Sequence, residues 1–148
     1  MASSTPNVVV LFINGGERPI DEKKSSAAVT VGTLLTIGAT TLAEQGTAAK
    51  TGNFLKAVAV ENPYAPDPTV AALAQDYASG DTVRFIYPQP GDKLYCWLKA
   101  GQNVAYGAAL ETATAGELQA TTTGATIAVA EEAVNASGGA TRIRVRFV

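Results

Sequence analysis

The side chains able to do chemistry in this 148-residue chain are few, and their pattern excludes more than it offers. There is no histidine. That removes the commonest general base, the commonest transition-metal ligand and every Ser-His or Cys-His nucleophile arrangement. The single cysteine, Cys96, can form neither an internal disulfide nor a structural zinc site. Flanked by Tyr95 and Trp97 in an apolar run, it reads as a small buried hydrophobe. No glycine-rich phosphate loop or dinucleotide fingerprint occurs. Acid–base work by paired carboxylates would need distant groups such as Glu61 and Glu132, because the adjacent Glu131-Glu132 pair, placed on a strand, points to opposite faces. Asp81 and Asp92 each follow a glycine, where aspartate is expected to bond the turn backbone, and no acidic spacing resembles a calcium loop. The residues therefore point away from an enzyme, with no cofactor and no metal.

Two further groups invite a binding role. Arg142, Arg144 and Arg146 alternate with Ile143, Val145 and Phe147, so a terminal strand there carries one core face and one charged face. As a nucleic-acid surface the stripe would need other basic residues and a favourable field. Glu131 and Glu132 lie nearby and the net charge is −2, which favours solvated charges or pairing with acids on a neighbouring subunit. Tyr64, Tyr95, Trp97 and Tyr106 could stack on a sugar, but between strands and turns aromatics more often anchor cores and interfaces.

Composition says what scaffold must position these groups. Hydrophobic residues make up 47 % and charged residues only 16 %, against roughly 25 % in ordinary soluble domains. Alanine and valine interleaved with threonine and glycine favour pleated strands, and a surface short of charge suits cover by other chains. Residues 1–6 are small and polar, with no positively charged leader, so export is not expected. Val8-Val9-Val10-Leu11-Phe12-Ile13, closed by Asn14-Gly15-Gly16, reads as a strand buried on both faces. It is too short to span a bilayer and, lacking charge or proline, it must be covered by its own domain or a neighbour. Residues 17–26 read as a polar surface connection, so residues 1–26 form an N-terminal arm and linker and residues 27–148 a single domain.

Within that domain the chain echoes itself. Val31-Gly32-Thr33-Leu34-Leu35 returns as Tyr106-Gly107-Ala108-Ala109-Leu110. Ala57-Val58-Ala59-Val60-Glu61 returns as Ala128-Val129-Ala130-Glu131-Glu132, and Val83-Arg84-Phe85 as Val145-Arg146-Phe147. The halves differ by a proline-stiffened loop, Asn62-Pro63-Tyr64-Ala65-Pro66-Asp67-Pro68. After it Asp67 can cap one short helix over residues 68–78, with Val70, Leu73, Ala74 and Tyr77 on one stripe. Strands follow at residues 82–87, 93–98, 116–121, 125–130 and 141–148. Short strands at this spacing predict an all-β fold, a small β-barrel or β-sandwich built on a duplicated β-motif.

From Tyr77 onward the chain resembles the capsid decoration (cement) proteins of tailed bacteriophages. The resemblance rests on the order of Tyr77-Ala78-Ser79-Gly80-Asp81-Thr82-Val83, Gly91-Asp92-Lys93-Leu94-Tyr95, Leu98-Lys99-Ala100-Gly101-Gln102-Asn103-Val104, Gly107-x-x-Leu110, Ile127 to Ala133 and the basic terminal strand. It implies a structural protein added to the outside of an assembled capsid, as a homotrimer or homodimer bridging copies of the major capsid protein. Neither nucleic acid nor membrane would be a direct partner. The contacts expected on that basis are Val8, Val9, Val10, Leu11, Phe12 and Ile13, the loop residues Pro63, Tyr64 and Pro66, and the stripe Arg142, Arg144 and Arg146. Another virion part, such as a head-fibre base, tail or connector subunit, and a carbohydrate- or host-binding β module are the competing readings.

Overall fold

The computed structural model of the chain describes residues 5–45, 56–64 and 67–148. Their strands are short. The first half holds β1 (Val10–Phe12), β2 (Asp21–Lys24), β3 (Leu34–Ile37), β4 (Leu42–Glu44), β5 (Ala57–Ala59) and β6 (Thr82–Ile86). The second half holds β7 (Lys93–Leu98), β8 (Asn103–Val104), β9 (Ala109–Thr112), β10 (Leu118–Ala120), β11 (Ala128–Ala130), β12 (Val134–Asn135) and β13 (Thr141–Phe147). The architecture is all-β, as composition predicts, and the only helical pieces among the described residues are 3-10 turns at Ala72–Ala74 and Thr114–Gly116.

The echo in the sequence is a repeat in three dimensions. One sheet runs β2-β6-β5-β3-β4; the other runs β7-β13-β11-β9-β10, closes on itself and takes β1 as an added strand on β7. Position for position the two circuits correspond. Leu34 faces Val58 and Leu35 faces Ala57 in the first, as Ala109 faces Val129 and Leu110 faces Ala128 in the second. Gly32 N–H donates to Ala59 O at 2.9 Å, and Gly107 N–H to Ala130 O at 2.8 Å. Both glycines have φ near +90° (91° and 83°), a turn geometry that side chains resist. Each circuit is also drawn shut by one parallel bridge, Ser25 beside Leu42 and Leu98 beside Leu118. The same bond fixes both bridges: Ser26 N–H to Leu42 O at 2.9 Å and Lys99 N–H to Leu118 O at 2.8 Å.

The third match needs correction. Ala59 faces Phe85 where Ala130 faces Val145, so Val83-Arg84-Phe85 stands opposite Ile143-Arg144-Val145, two residues earlier than its sequence twin. A two-residue slip keeps every side chain on its face, so an alternating strand carries little register information of its own.

Three other expectations change. The helix over residues 68–78 does not form. Asp67 does cap a turn, accepting from Thr69 N–H at 2.9 Å and Thr69 Oγ1 at 2.6 Å. Beyond it, however, only the three-residue turn at Ala72–Ala74 is wound. The Leu73 carbonyl, which an α-helix would bond to Tyr77, accepts Arg142 Nη2 instead. Tyr77 pairs backbone to backbone with Val29 and sends its hydroxyl to Val60 O at 2.9 Å and Glu61 O at 3.0 Å. A helix of this length is marginal in water, and these tertiary bonds prevail. Second, residues 21–24, expected within a surface connection, are strand β2, laddered to β6 from Asp21–Phe85 to Lys24–Thr82. Third, residues 8–13 are not buried on both faces. Val9 alone is fully buried, Val10, Leu11 and Ile13 are half-buried, and Val8 and Phe12 are exposed.

Strict alternation places the core. Leu94, Cys96 and Leu98 on β7 and Ile143, Val145 and Phe147 on β13 are buried, facing away from Trp97 and Arg142. Burial pushes the Cys96 thiol up to about 12. Where β9 meets β10, the wholly buried Glu111 accepts Gln119 Nε2 at 2.8 Å, Thr122 Oγ1 at 2.9 Å and the Gly124 N–H. Burial alone would raise its pKa, but these bonds and the Thr122 N–H outweigh it and hold the carboxyl at about 2, below its ordinary 4.5. A depressed acid stabilises the fold fully above its unfolded pKa and loses that contribution as pH falls toward the folded one. Between pH 4.5 and 2 the protein should therefore lose urea resistance faster than a Glu111→Gln variant, which is the weaker at neutral pH. Parallel losses would exclude Glu111 as a source of the acid sensitivity.

Candidate contact surface

The N-terminal arm leaves the first circuit and crosses to the second. β1 pairs antiparallel with β7, Val10 opposite Leu94 and Phe12 opposite Lys93, with a bulge between, and Tyr95 N–H donates to Val9 O at 2.7 Å. Two acids lock it down. Glu61 accepts the Val9 N–H. Asp92, wholly buried, accepts Asn14 N–H at 2.8 Å, Arg18 Nε at 3.0 Å, Arg18 Nη2 at 3.1 Å and Gln89 N–H at 2.8 Å. Asp92 thus bonds its turn as the sequence predicts, and also holds the arm through a forked guanidinium pair. Beside the arm lies a groove of about 750 Å³, its apolar lining including Val8, Val10, Ile13, Ile20, Val60 and Ile86, and its charged lining Glu17, Arg18, Glu61 and Arg84. With Val8 and Ile20 43 % and 49 % exposed the groove presents a substantial apolar face, and Phe12 on β1, outside its lining, is 52 % exposed.

The arginine stripe stands where its alternation puts it, opposite Trp97, Tyr95 and Lys93 on β7. Its acids come from the chain itself. Arg146 pairs with Glu131 at 3.2 Å and Arg144 with Glu132 at 3.7 Å, while Lys93 reaches Glu131 at 3.3 Å. Glu131 and Glu132 both meet the stripe, contrary to the opposite-face expectation, because β11 ends at Ala130 and the chain bends there. Arg142 turns into the seam between circuits. Its guanidinium lies 4.4 Å from the Trp97 ring centroid, and Nη2 donates to Val31 O at 3.0 Å and to Leu73 O. Trp97 Nε1 donates to the same Val31 carbonyl at 3.0 Å. Thr114–Gly116 completes the seam: Gly116 N–H donates to Gln45 O at 2.8 Å, and a Cβ there would lie 2.5 Å from Leu34 O.

The loop contacts expected from the sequence divide. Pro63 and Tyr64 are exposed, Tyr64 Oη lying 3.4 Å from Glu22 Oε1, and Pro66 lies outside the described residues. Of the aromatics, Tyr64 and Tyr106 are 64 % and 69 % exposed, whereas Trp97 is covered by Arg142 and Tyr95 is half-buried. Glu61 and Glu132 each serve a backbone N–H, that of Val9 and that of Arg144. Among the described residues no group of three or more acidic or thiol side chains is placed to hold a metal.

No family model and no curated protein sequence matches the chain. Among solved structures, the head fibre gp8.5 N base in bacteriophage phi29 is similar. The two superpose with a TM-score of 0.57 over 89 % of this chain and 95 % of that one, at 12 % identity. The likeness is one of fold. It spans nearly the whole of both chains, so it takes in both strand circuits rather than a single barrel.

Arg18 is the organising residue that sequence reading missed, together with its pairing to Asp92 and the stacking of Arg142 on Trp97. Arg18 and Asp92 are 74 positions apart and Arg142 and Val31 111, with no local pattern to join them. A buried acid in a turn with an arginine in an otherwise polar linker was the one available signal.

Proposed function

We propose that this chain is a structural protein of a tailed-phage head, seated on the outer capsid surface and acting by adhesion rather than catalysis. One observation carries the reading: the fold likeness to a phage head-fibre base over nearly the whole length of both chains. It agrees with the independent resemblance of the sequence to phage head decoration proteins. The apolar arm face supplies the contact, Val8, Phe12 and Ile20 packing against the major capsid protein with the groove beside them. Many weak copies on a lattice hold more firmly than one strong contact. Neither a cofactor nor a nucleic-acid or membrane partner belongs to this mechanism, and the site of action is the virion exterior, after assembly in the bacterial host.

The test is co-sedimentation of purified protein with phage heads assembled without it. The protein should pellet with heads to a saturating ratio, and Val8→Asp with Phe12→Asp should weaken binding about tenfold or more, the effect of some 1.4 kcal/mol. Protein left in the supernatant at saturating heads would overturn the proposal. The same heads separate two roles. A protein that bridges capsomers raises the temperature at which heads rupture, whereas a fibre base binds at full occupancy and leaves that temperature unchanged.

A further inference from the structure

The seam that joins the two circuits is built from a turn on one and an edge on the other, and among the described residues the repeat leaves a second turn and a second edge without partners. The turn of residues 30–33, closed by Thr33 N–H to Thr30 O at 3.3 Å, carries Val31, which is wholly buried. Its carbonyl is held by Trp97 and Arg142, cross-strand neighbours on β7 and β13. In the second circuit the same turn spans residues 105–108, closed by Ala108 N–H to Ala105 O at 3.1 Å, with Tyr106 in the place of Val31. Tyr106 is the most exposed large hydrophobic residue described, and among the described residues its carbonyl has no hydrogen-bond partner. The receiving edge recurs too. By the register that equates Ser25 with Leu98, the places of Trp97 and Arg142 are taken on the first circuit by Lys24 and Thr82, again cross-strand neighbours. Lys24 is exposed, and its side chain has no hydrogen bond or ion pair among the described residues.

We infer that a second copy of this chain docks its Tyr106 turn on the Lys24–Thr82 edge of the first, continuing between molecules the contact that joins the two circuits within one. The chemistry is complementary. The Lys24 ammonium and Thr82 hydroxyl are donors for the Tyr106 carbonyl, as the Trp97 indole and Arg142 guanidinium are for Val31. The phenol ring brings apolar area and a π-face to the ammonium. Two residues before Lys24 on that edge the Glu22 N–H, counterpart of the Tyr95 N–H that bonds β1, is satisfied by Asp21 Oδ1 at 2.8 Å, so the edge is closed to a further strand and open to a turn. Each copy offers one turn and one edge, a head-to-tail contact that closes into a ring or runs on according to its rotation. The inference concerns copies of this chain alone and stands apart from the capsid reading.

Sedimentation of the full chain at rising concentration tests it. The wild type should self-associate, and Tyr106→Asp and Lys24→Glu should each weaken association about tenfold or more while leaving circular dichroism and melting unchanged, as both sites are exposed. Mixed together, the two variants should form a one-to-one dimer, because one retains an intact edge and the other an intact turn. A wild type that stays monomeric, association indifferent to both substitutions, or a mixture that forms no heterodimer would each overturn the inference. As a check independent of affinity, Tyr106→Cys mixed with Lys24→Cys should crosslink between copies under oxidation, Cys96 being buried. No crosslink would count equally against it.

Discussion

Replacing Asp92 with alanine should destabilise the protein by about 3–5 kcal/mol, the scale of removing one partner from a buried ion pair. The carboxylate accepts four bonds from three residues, so its loss strands two backbone N–H groups and the Arg18 guanidinium together. The effect should be read in the urea midpoint and in the rate at which protease trims the arm, since Asn14 and Arg18 are what Asp92 holds. Arg18→Ala should cost less, about 1–3 kcal/mol, because Asp92 keeps the Asn14 and Gln89 N–H bonds. A double-mutant cycle should return a coupling well above 1 kcal/mol. Additive effects would mean that the fork contributes nothing beyond the turn.

The second large effect is expected at Arg142. Its alanine variant loses the cation–π contact with Trp97 and the bond to Leu73 O, together about 2–4 kcal/mol. The Val31 carbonyl keeps Trp97 Nε1, so the loss should fall mainly on the loop before β6. Hydrogen exchange should therefore quicken at Tyr77 in that loop, whose N–H donates to Val29 O, more than on β7. Arg142→Lys should recover only part of the stability, because an ammonium on a single stem does not stack flat on the indole while reaching two carbonyls. Full recovery with lysine would show that charge alone, not the planar fork, is used at the seam.

How much of this was readable in the residues depended on how local each cause was. β7 and β13 were legible to within a residue, because Leu94-Tyr95-Cys96-Trp97-Leu98 and Arg142-Ile143-Arg144-Val145 alternate without interruption. The repeat was legible at its glycine turn and its Ala-Val-Ala strand, where backbone geometry restricts the residue. It slipped by two at Val-Arg-Phe, where only alternation guides the eye. β2 carried no such mark: Asp21-Glu22-Lys23-Lys24 has no apolar face, and its extended form is imposed by the β6 ladder. The absent helix had every local sign of one, and was overruled by Arg142, 69 residues from the carbonyl it takes. The apolar arm was recognisable as adhesive. The partners that fasten it, Glu61 and Asp92, are 52 and 78 positions from the atoms they bind, beyond any local window.

The crossing of the arm also sets an order of events during synthesis. β2 to β6 end at Ile86, so the first circuit can close on the ribosome before the second, which runs to Phe147, has been completed. The arm is translated first yet has no strand to join until β7 emerges, because Val10 pairs with Leu94. At about 5–20 residues per second that interval is on the order of 4–17 s. Throughout it Val8-Val9-Val10-Leu11-Phe12-Ile13 is an uncovered apolar strand beside other nascent chains. Chaperone demand and inclusion-body formation should thus track translation speed between the two circuits more than the stability of the finished fold.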